Sequence, residues 1–235
     1  MLILTLDAST DAVTVAVARA EENVGPGGGR EVLAEISAST SRGASETLLP
    51  AAHTALSLAG TNLSEVERVV VGIGPGTFTG IRIALATARS LALATGAMLS
   101  TNWTLNALAS PALLSMEESD VLAVLDAKRQ QIFAQRFAED RARGGILCVT
   151  PEELVAELAV QDLPLVIGDG AVRYREALSV LGHIPPDASP LHQVTAAGHV
   201  LSADLTPVPP HEVVPLYVRA PDAEARRDLN PWSKA

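Results

Sequence analysis

The hydrophobic and polar positions of the chain alternate between two periods, one typical of strands and one of helices. Short runs of β-branched and aliphatic residues predict strands, and longer runs with apolar residues three and four positions apart predict helices. Ser45 is expected to cap the first helix, and Gly96 to end the second. The predicted order is βββαβαβα, with strands over 2–7, 12–19, 31–37, 68–73 and 97–101 and helices over about 46–59, 77–95 and 103–114.

The second part of the chain repeats the first in a shorter form. The segment "LTLDASTDAVTVAV" (4–17) aligns without gaps with "AVLDAKRQQIFAQR" (123–136), and Asp7 falls on Asp126. A third strand, "ILCVT", then precedes the segment "TPEELVAELA", which opens a helix with a capping box from Thr150 to Glu153, and "LPLVIGDGA" is a further strand. The pattern predicts an α/β fold with two RNase H-like βββαβαβα halves, the second reduced, around a cleft of the actin and sugar-kinase type. We expect halves over 1–112 and 113–219, and a flexible tail over 220–235.

A glycine-rich loop, "GIGPGTFTG" (72–80), connects the fourth strand to the second helix. Such a loop can hold phosphate, yet it lacks the lysine of the P-loop pattern, because Ile81 and Arg82 follow Gly80. It also lacks the third glycine of the dinucleotide pattern, because Thr79 stands there. The loop is therefore expected to turn the chain sharply into the helix, and any phosphate contact is secondary.

Each half offers an aspartate at the end of its first strand, as "DAST" (7–10) and "DAKR" (126–129). These carboxylates are either ordinary turn residues or ligands for phosphate and its metal. Alanine stands at both positions where a glycine would let backbone N–H groups approach phosphate. The residues assigned as vestigial phosphate-loop positions are Asp7, Ser9, Thr10, Gly74, Gly76 and Asp126.

Composition and charge narrow the classes of function. The chain has 235 residues, 48% of them hydrophobic, and a formal net charge of −10, which disfavours unaided binding to the phosphates of a nucleic acid. A single cysteine excludes an intramolecular disulfide and fits a reducing cytoplasm. We expect neither a targeting segment nor a membrane span, since Asp7 follows the start too soon and glycine, asparagine and proline interrupt the uncharged stretch 90–116.

The chain shows no pattern typical of a hydrolytic or metal site. Its five histidines are scattered, and no two have the i, i+4 spacing of helical metal ligands. A Gly-x-Ser-x-Gly nucleophile motif is absent. We therefore predict no catalytic residue, no metal site and no metallopeptidase activity.

Two helices carry more apolar surface than one core contact requires. The helix over 77–95 has one apolar stripe for its own sheet and a second, weakly polar face, separated from the first by Arg82 and Arg89. The helix over 46–59 is apolar around half of its circumference. A helix that is apolar on two sides is usually buried on two sides, which predicts a helix-to-helix interface with another protein. The predicted interface residues are Leu48, Leu49, Ala52, Leu56, Ile83, Ala86, Ser90, Leu93 and Ala94.

Six segments of the chain together resemble the TsaB (YeaZ) family of bacterial tRNA threonylcarbamoyladenosine biosynthesis proteins. They are "LTLDAST", "SETLLP", "GPGTFTGIRIALATARSLA", "LDAKR", "GDGA" and "PLYVRAPDA", and they span residues 1 to about 223. The chain departs from the family at Ala44, where histidine is frequent, and at Gln130 and Gln131, where glycine and glutamate are common. The related transferase TsaD has a metal-binding His-x-x-x-His, whereas the corresponding segment 100–110 of this chain has no histidine.

The resemblance implies a non-catalytic cytoplasmic subunit of the tRNA threonylcarbamoyladenosine machinery. Its partners would be a TsaD-like transferase and a TsaE-like ATPase, it would meet tRNA only through the complex, and it would form a homodimer when alone. Cofactors are expected on the partner subunits, which would hold the ATP and the metal. The two predicted helices would be the pairing surface.

Two other classes of function stay open at the level of sequence. One is an ATP-dependent kinase or ATPase of the sugar-kinase superfamily, with Asp7 or Asp126 holding Mg²⁺. The other is an inert homodimeric scaffold without a role in tRNA modification.

Overall fold

A computed structural model describes residues 1–21, 28–39, 43–115, 120–138, 141–158 and 163–219 of the chain. The tail predicted over 220–235 lies outside these residues. The strands are β1 (Leu2–Asp7), β2 (Ala12–Ala20), β3 (Arg30–Ser39), β4 (Arg68–Gly72), β5 (Met98–Asn102), β6 (Asp120–Asp126), β7 (Ile132–Ala138), β8 (Arg141–Val149) and β9 (Leu165–Ile167). The α-helices are α1 (Ala44–Leu58), α2 (Phe78–Thr95), α3 (Thr104–Ser110), α4 (Pro151–Glu157), α5 (Asp169–Arg173), α6 (Arg175–Leu178) and α7 (Ala196–Ser202).

The first sheet has the strand order β3-β2-β1-β4-β5. β1 pairs antiparallel with β2 and parallel with β4, and the register places Asp7 opposite Thr14. Helices α1 and α2 cover one face with an aliphatic and alanine-rich core. Helix α7 covers the other face, where Ala196 and Val200 pack against Ile3 and Val70. A sheet buried on both faces explains why β1 and β4 read as continuous hydrophobic runs.

The second sheet has the order β8-β7-β6-β9, with β6 parallel to β9 and antiparallel to β7. Helix α3 packs on one face, where Leu105 and Leu108 meet Leu125 and Phe133. Helices α4, α5 and α6 lie on the other face. Because α3 also contacts α7, these two helices form a layer between the two sheets. The α/β fold class predicted from the sequence is confirmed, with the second half reduced to four strands.

Two sequence predictions need correction at their boundaries. Ser45 does not cap α1, because the helix starts at Ala44 and its N-cap is Gly43, whose φ of 89° turns the chain into the helix. The range 113–219 does not pack as one unit on the second sheet, because α7 covers the first sheet and Leu216 donates its N–H to the Ile73 carbonyl. The capping box of Thr150 and Glu153 is present as predicted.

The glycine-rich loop before α2 packs against the turn between β1 and β2 at distances that no side chain allows. A Cβ added to Gly80 would lie 1.8 Å from the carbonyl oxygen of Ala8, and one added to Gly76 would lie 2.1 Å from that of Ser9. The N–H of Thr77 donates to the same Ser9 carbonyl at 2.7 Å. These glycines therefore seat the start of α2 on the first hairpin, as the sequence interpretation of a sharp turn requires.

We predict that Gly80→Ala destabilises the protein, because the added methyl must push the start of α2 away from the Ala8 carbonyl. The expected cost is about 1–3 kcal/mol in the free energy of unfolding, measured by urea denaturation. Gly145→Ala is the matched control, since a Cβ at Gly145 meets no atom within 4 Å. Equal stability of the two variants would contradict the role of Gly80 in seating the helix.

Candidate functional site

A cleft of about 520 Å³ opens between the two halves of the protein. The first hairpin contributes Ser9, Thr10 and Asp11, and the loop before α2 contributes Gly76. The second hairpin contributes Asp126 and the residues that follow it, and the final described segment 216–219 forms a side wall. The structure thus brings together the two hairpins that the sequence repeat aligned.

The predicted phosphate-loop positions divide into two groups. Ser9, Thr10, Gly76 and Asp126 line the cleft. Asp7 is fully buried beneath it, and Gly74 packs against Ile81 and the Leu216 carbonyl. Residue spacing alone did not distinguish the positions on the cleft surface from those in the layer below, and their assignment to phosphate stays a prediction.

Asp7 is the centre of a buried hydrogen-bond network. Its Oδ1 accepts the N–H of Ser9 at 2.6 Å and the Ser9 hydroxyl at 2.7 Å. Its Oδ2 lies 2.9 Å from Nε2 of His199, and both side chains are 0% exposed. Burial by itself raises the pKa of Asp7, but the contacts with His199 and Ser9 outweigh it and leave that pKa below its ordinary value. Asp7 is therefore an enclosed carboxylate that joins β1 to α7.

The contact made by the second ring nitrogen of His199 indicates which nitrogen of the imidazole carries a proton. Nδ1 lies 3.2 Å from Nδ2 of Asn102, an amide group that can only donate, so Nδ1 accepts. Nε2 then carries a proton and donates to Asp7. Sequence reasoning missed His199 and Asn102, because His199 is 192 residues from Asp7 and no local pattern links them.

The second hairpin turns through three consecutive residues in the left-handed region. Lys128, Arg129 and Gln130 have φ values of 60°, 54° and 61°, a conformation that costs non-glycine residues about 1–2 kcal/mol each. The N–H of Ala127 donates to the carbonyl of Gln131 at 2.9 Å and closes the turn. The turn projects Lys128 and Arg129 along the cleft.

Two carboxyl groups lie at the base of this turn. Asp126 forms ion pairs with Lys128 at 3.3 Å and with Arg173 at 3.6 Å. Burial and the negative charge of Asp126 raise the pKa of Asp169, whose Oδ1 accepts the N–H of Asp126 at 2.9 Å. Burial lowers the pKa of Lys128, but the nearby Asp126 and Asp11 outweigh it and leave that pKa raised. Lys128 also reaches across the cleft to Asp11 of the first hairpin at 3.3 Å.

The segment 203–219 runs along the first half and ends in the cleft, and we call it the strap. Arg89 of α2 donates to the Val213 carbonyl at 2.6 Å, and Nε of Arg82 donates to the hydroxyl of Tyr217 at 2.8 Å. The rings of Tyr217 and Phe78 stack with centroids 5.4 Å apart, and the Arg82 guanidinium lies 3.6 Å from the centroid of Phe78. The segment "PLYVRAPDA", which contains Tyr217, contributes to the family resemblance, but no sequence pattern indicated a role for Tyr217 in the site.

The predicted helix face is partly surface and partly core. Ala86, Ser90, Leu93 and Ala94 are exposed and Ile83 is half-buried, so the described residues leave the second face of α2 uncovered. Leu49 of α1 is also exposed. The assignment of Leu48, Ala52 and Leu56 to the interface is wrong, because these side chains are buried in the core under the first sheet.

The described residues contain no group of three or more His, Cys, Asp or Glu side chains that could hold a metal ion. In the same part of the chain, no helix is long and apolar enough to cross a membrane.

The sequence of this chain is similar to one family model and to several known proteins. Residues 31–156 match the family model described as TsaD: tRNA N6-adenosine threonylcarbamoyltransferase. The uncharacterized protein Rv3421c of Mycobacterium tuberculosis is 30% identical over 94% of this chain and 93% of its own length. The tRNA threonylcarbamoyladenosine biosynthesis protein TsaB of Haemophilus influenzae is 26% identical over 61% of this chain and 56% of its own length.

Among solved structures, YeaZ from Pseudomonas aeruginosa has a TM-score of 0.70 to this chain at 24% identity. The match covers 92% of this chain and 99% of YeaZ. At this identity the likeness establishes that the two proteins share a fold.

The buried Asp7 carboxylate predicts a specific pH dependence of stability. Asp7→Asn removes a charged acceptor from three donors and is expected to cost about 1.5–3 kcal/mol at pH 7, measured by urea unfolding. Because the folded-state pKa of Asp7 is lowered, its contribution is complete above the unfolded pKa of about 3.9 and is lost as the pH falls through the folded pKa. The difference between wild type and variant should therefore shrink below pH of about 4.

The matched control is Asp11→Asn, since the Asp11 side chain is 76% exposed and its substitution is expected to change stability by less than about 0.5 kcal/mol. A difference for Asp7→Asn that stays constant from pH 7 to pH 3 would show that Asp7 is not charged in the folded protein.

Proposed function

Because this chain belongs to the TsaD family of tRNA N6-adenosine threonylcarbamoyltransferase proteins, within its TsaB/YeaZ branch, we propose that it acts in tRNA threonylcarbamoyladenosine biosynthesis. Its role is that of a non-catalytic subunit that pairs with a TsaD-like transferase. The observation that carries this proposal is the uncovered face of α2, which lies beside α1.

The surface on α1 and α2 has the properties of a helix-packing interface. Leu93 is 89% exposed and Leu58 is 68% exposed, which is a large apolar exposure for two neighbouring helices of one domain. On the exposed face of α2, Ala86 and Ser90 are small enough for the backbone of a partner helix to approach closely. We define the pairing surface as Leu49, Leu58, Ile83, Ala86, Ser90, Leu93 and Ala94.

The geometry of the cleft supports a non-catalytic role. Three donors already surround Asp7. The glycines of the loop before α2 pack directly against the carbonyls of Ala8 and Ser9. A nucleotide phosphate would therefore find neither a free carboxylate for its metal at Asp7 nor an open glycine cradle. We propose that ATP and metal reside on TsaD-like and TsaE-like partners.

Two further features of the proposal concern tRNA and the oligomeric state. A formal net charge of −10 opposes direct binding of tRNA, so this subunit meets tRNA through its partners in the cytoplasm. Without a partner, the pairing surface would be covered by a second copy of the chain, which gives a homodimer.

The experiment that tests the proposed function is reconstitution of the tRNA modification from purified components. A TsaD-like and a TsaE-like protein are incubated with ATP, tRNA and a source of the threonylcarbamoyl group, with and without this chain. We expect modified adenosine to accumulate only when this chain is present. Equal yields in its absence would overturn the proposal.

The isolated chain is expected neither to hydrolyse ATP nor to bind it tightly, which distinguishes the subunit role from that of a kinase. Isothermal titration calorimetry with ATP and Mg²⁺ measures this directly. A submicromolar Kd, or phosphate transfer to any member of a sugar panel, would favour the kinase alternative.

We predict that Ala86→Arg abolishes pairing with the TsaD-like partner and leaves the folding of the monomer intact. The new side chain projects from an exposed position into the contact and brings an unpaired charge, so the Kd should rise by at least about 100-fold. Size-exclusion chromatography and calorimetry with the partner measure the loss, and thermal melting checks the fold.

The control for Ala86→Arg is Val180→Arg, which also places an arginine at an exposed apolar position but lies in the second half. This variant is expected to bind the partner like wild type. Wild-type affinity of Ala86→Arg would place the interface elsewhere on the molecule.

A further inference from the structure

The cleft between the halves has apolar walls and charged groups at its edges. Leu125 and Phe133 of the second half line it together with Leu216 and Val218 of the strap, and Val218 packs against the cluster that contains Leu125 and Phe133. The stacked pair of Phe78 and Tyr217 also lies along the lining. Its volume of about 520 Å³ lies within the range of small-molecule sites, roughly 300–1,000 Å³. An apolar lining that includes aromatic rings suits the flat apolar body of a small organic molecule.

The charged groups of the cleft lie at two depths. The side chain of Asp126 is only 4% exposed and is already paired with Lys128 and Arg173. Asp169 is half-buried next to it. Toward the opening, the Lys128 side chain is 53% exposed, and Arg129 and Arg219 line the cleft with it. Lys128 and Asp11 are therefore both accessible to solvent, whereas Asp126 is enclosed and Asp169 is half-buried.

The turn that presents Lys128 and Arg129 is held in an unfavourable conformation. Three consecutive left-handed residues persist in a folded protein only where the surrounding structure fixes them, and such strain concentrates at binding sites. Here the turn is held by its own backbone bond and by Arg219 of the strap, which donates to the side-chain carbonyl of Gln131. The strained turn and the strap thus form one unit at the opening.

We propose that this cleft binds a small organic carboxylate with a flat apolar body. The body lies against the apolar lining of the cleft, and the carboxylate points to Lys128 and Arg129. A single negative charge suits the site, because the enclosed Asp126 and Asp169 repel a more highly charged group such as a triphosphate. The ligand carboxylate shares Lys128 with Asp11, whose exposed side chain can turn to solvent.

The test uses 2-naphthoate as the probe and 2-naphthalenemethanol as its neutral analogue, with calorimetry on the full chain. Naphthoate is expected to bind with one site per chain and a Kd of about 1 mM or below, as its size allows. The neutral analogue should bind about tenfold more weakly, and ATP should not displace naphthoate. Failure of naphthoate to bind at millimolar concentration, or equal binding of the two probes, would overturn the proposal.

Variants locate the site without depending on the partner role. The double substitution Lys128→Gln with Arg129→Gln should weaken naphthoate binding about tenfold, whereas Arg141→Gln on the exposed edge strand β8 should not change it. Methyl NMR gives a second readout, in which naphthoate should shift the resonances of Leu125, Leu216 and Val218 and leave those of Leu93 unchanged. Shifts confined to Leu93 would assign binding to the pairing surface and contradict the cleft site.

Ala86→Arg separates this inference from the proposed function. This variant is expected to lose the partner and to keep wild-type affinity for naphthoate, because Ala86 does not line the cleft. Loss of naphthoate binding in Ala86→Arg would contradict the cleft site, whatever the outcome of the partner experiment.

Discussion

The architecture depends on the close contact between the glycine loop and the first hairpin. Gly76 and Gly80 let the start of α2 rest directly on the carbonyls of Ser9 and Ala8, at distances that exclude any Cβ atom. This contact fixes the direction of α2 as it leaves the sheet. It therefore decides which stripe of the helix is buried and which face stays exposed, and it also covers Asp7 from the side of the loop.

The second half uses a related contact. A Cβ added to Gly168 would lie 2.0 Å from the carbonyl of Val124, and the N–H of Gly168 donates to Nδ1 of the buried His192 at 3.1 Å. In each half, then, a glycine brings the start of a helix onto the strand that carries the repeated aspartate. The two aspartates have different environments all the same. Asp7 is enclosed by hydrogen-bond donors, whereas Asp126 lies at the cleft and pairs with the exposed cations of Lys128 and Arg173.

The molecule has two surfaces of different chemical character. The pairing surface is apolar and includes small side chains. The only charged residues on α2 are Arg82 and Arg89, which donate hydrogen bonds to the strap. The cleft combines apolar walls with paired charges and a strained turn. Because the last part of the strap contacts α2 at Val213 and Tyr217 and contacts Gln131 through Arg219, it is the element that joins the two surfaces. The fold thus combines an exposed apolar helix face with a bounded cleft.

The sequence by itself determined the features that depend on neighbouring residues. The period of hydrophobic positions placed β1, β2 and α2, Gly96 ended α2 in the left-handed conformation, and Thr150 with Glu153 formed the capping box. The gapless repeat predicted that the two hairpins would share a cleft, and the quoted motifs indicated the family. All of these signals lie within single segments or in the comparison of two segments.

Only the tertiary structure decided which side chains meet across long distances in the chain. Leu48 and Leu49 are adjacent and equally apolar, yet one is buried and the other is half exposed, because the neighbouring strands and α2 determine which side of α1 faces the core. His199 reaches Asp7 only because α7 returns to the first sheet. Periodicity gives the width of an apolar face but not its neighbours, since burial is a property of packed elements and not of any one of them.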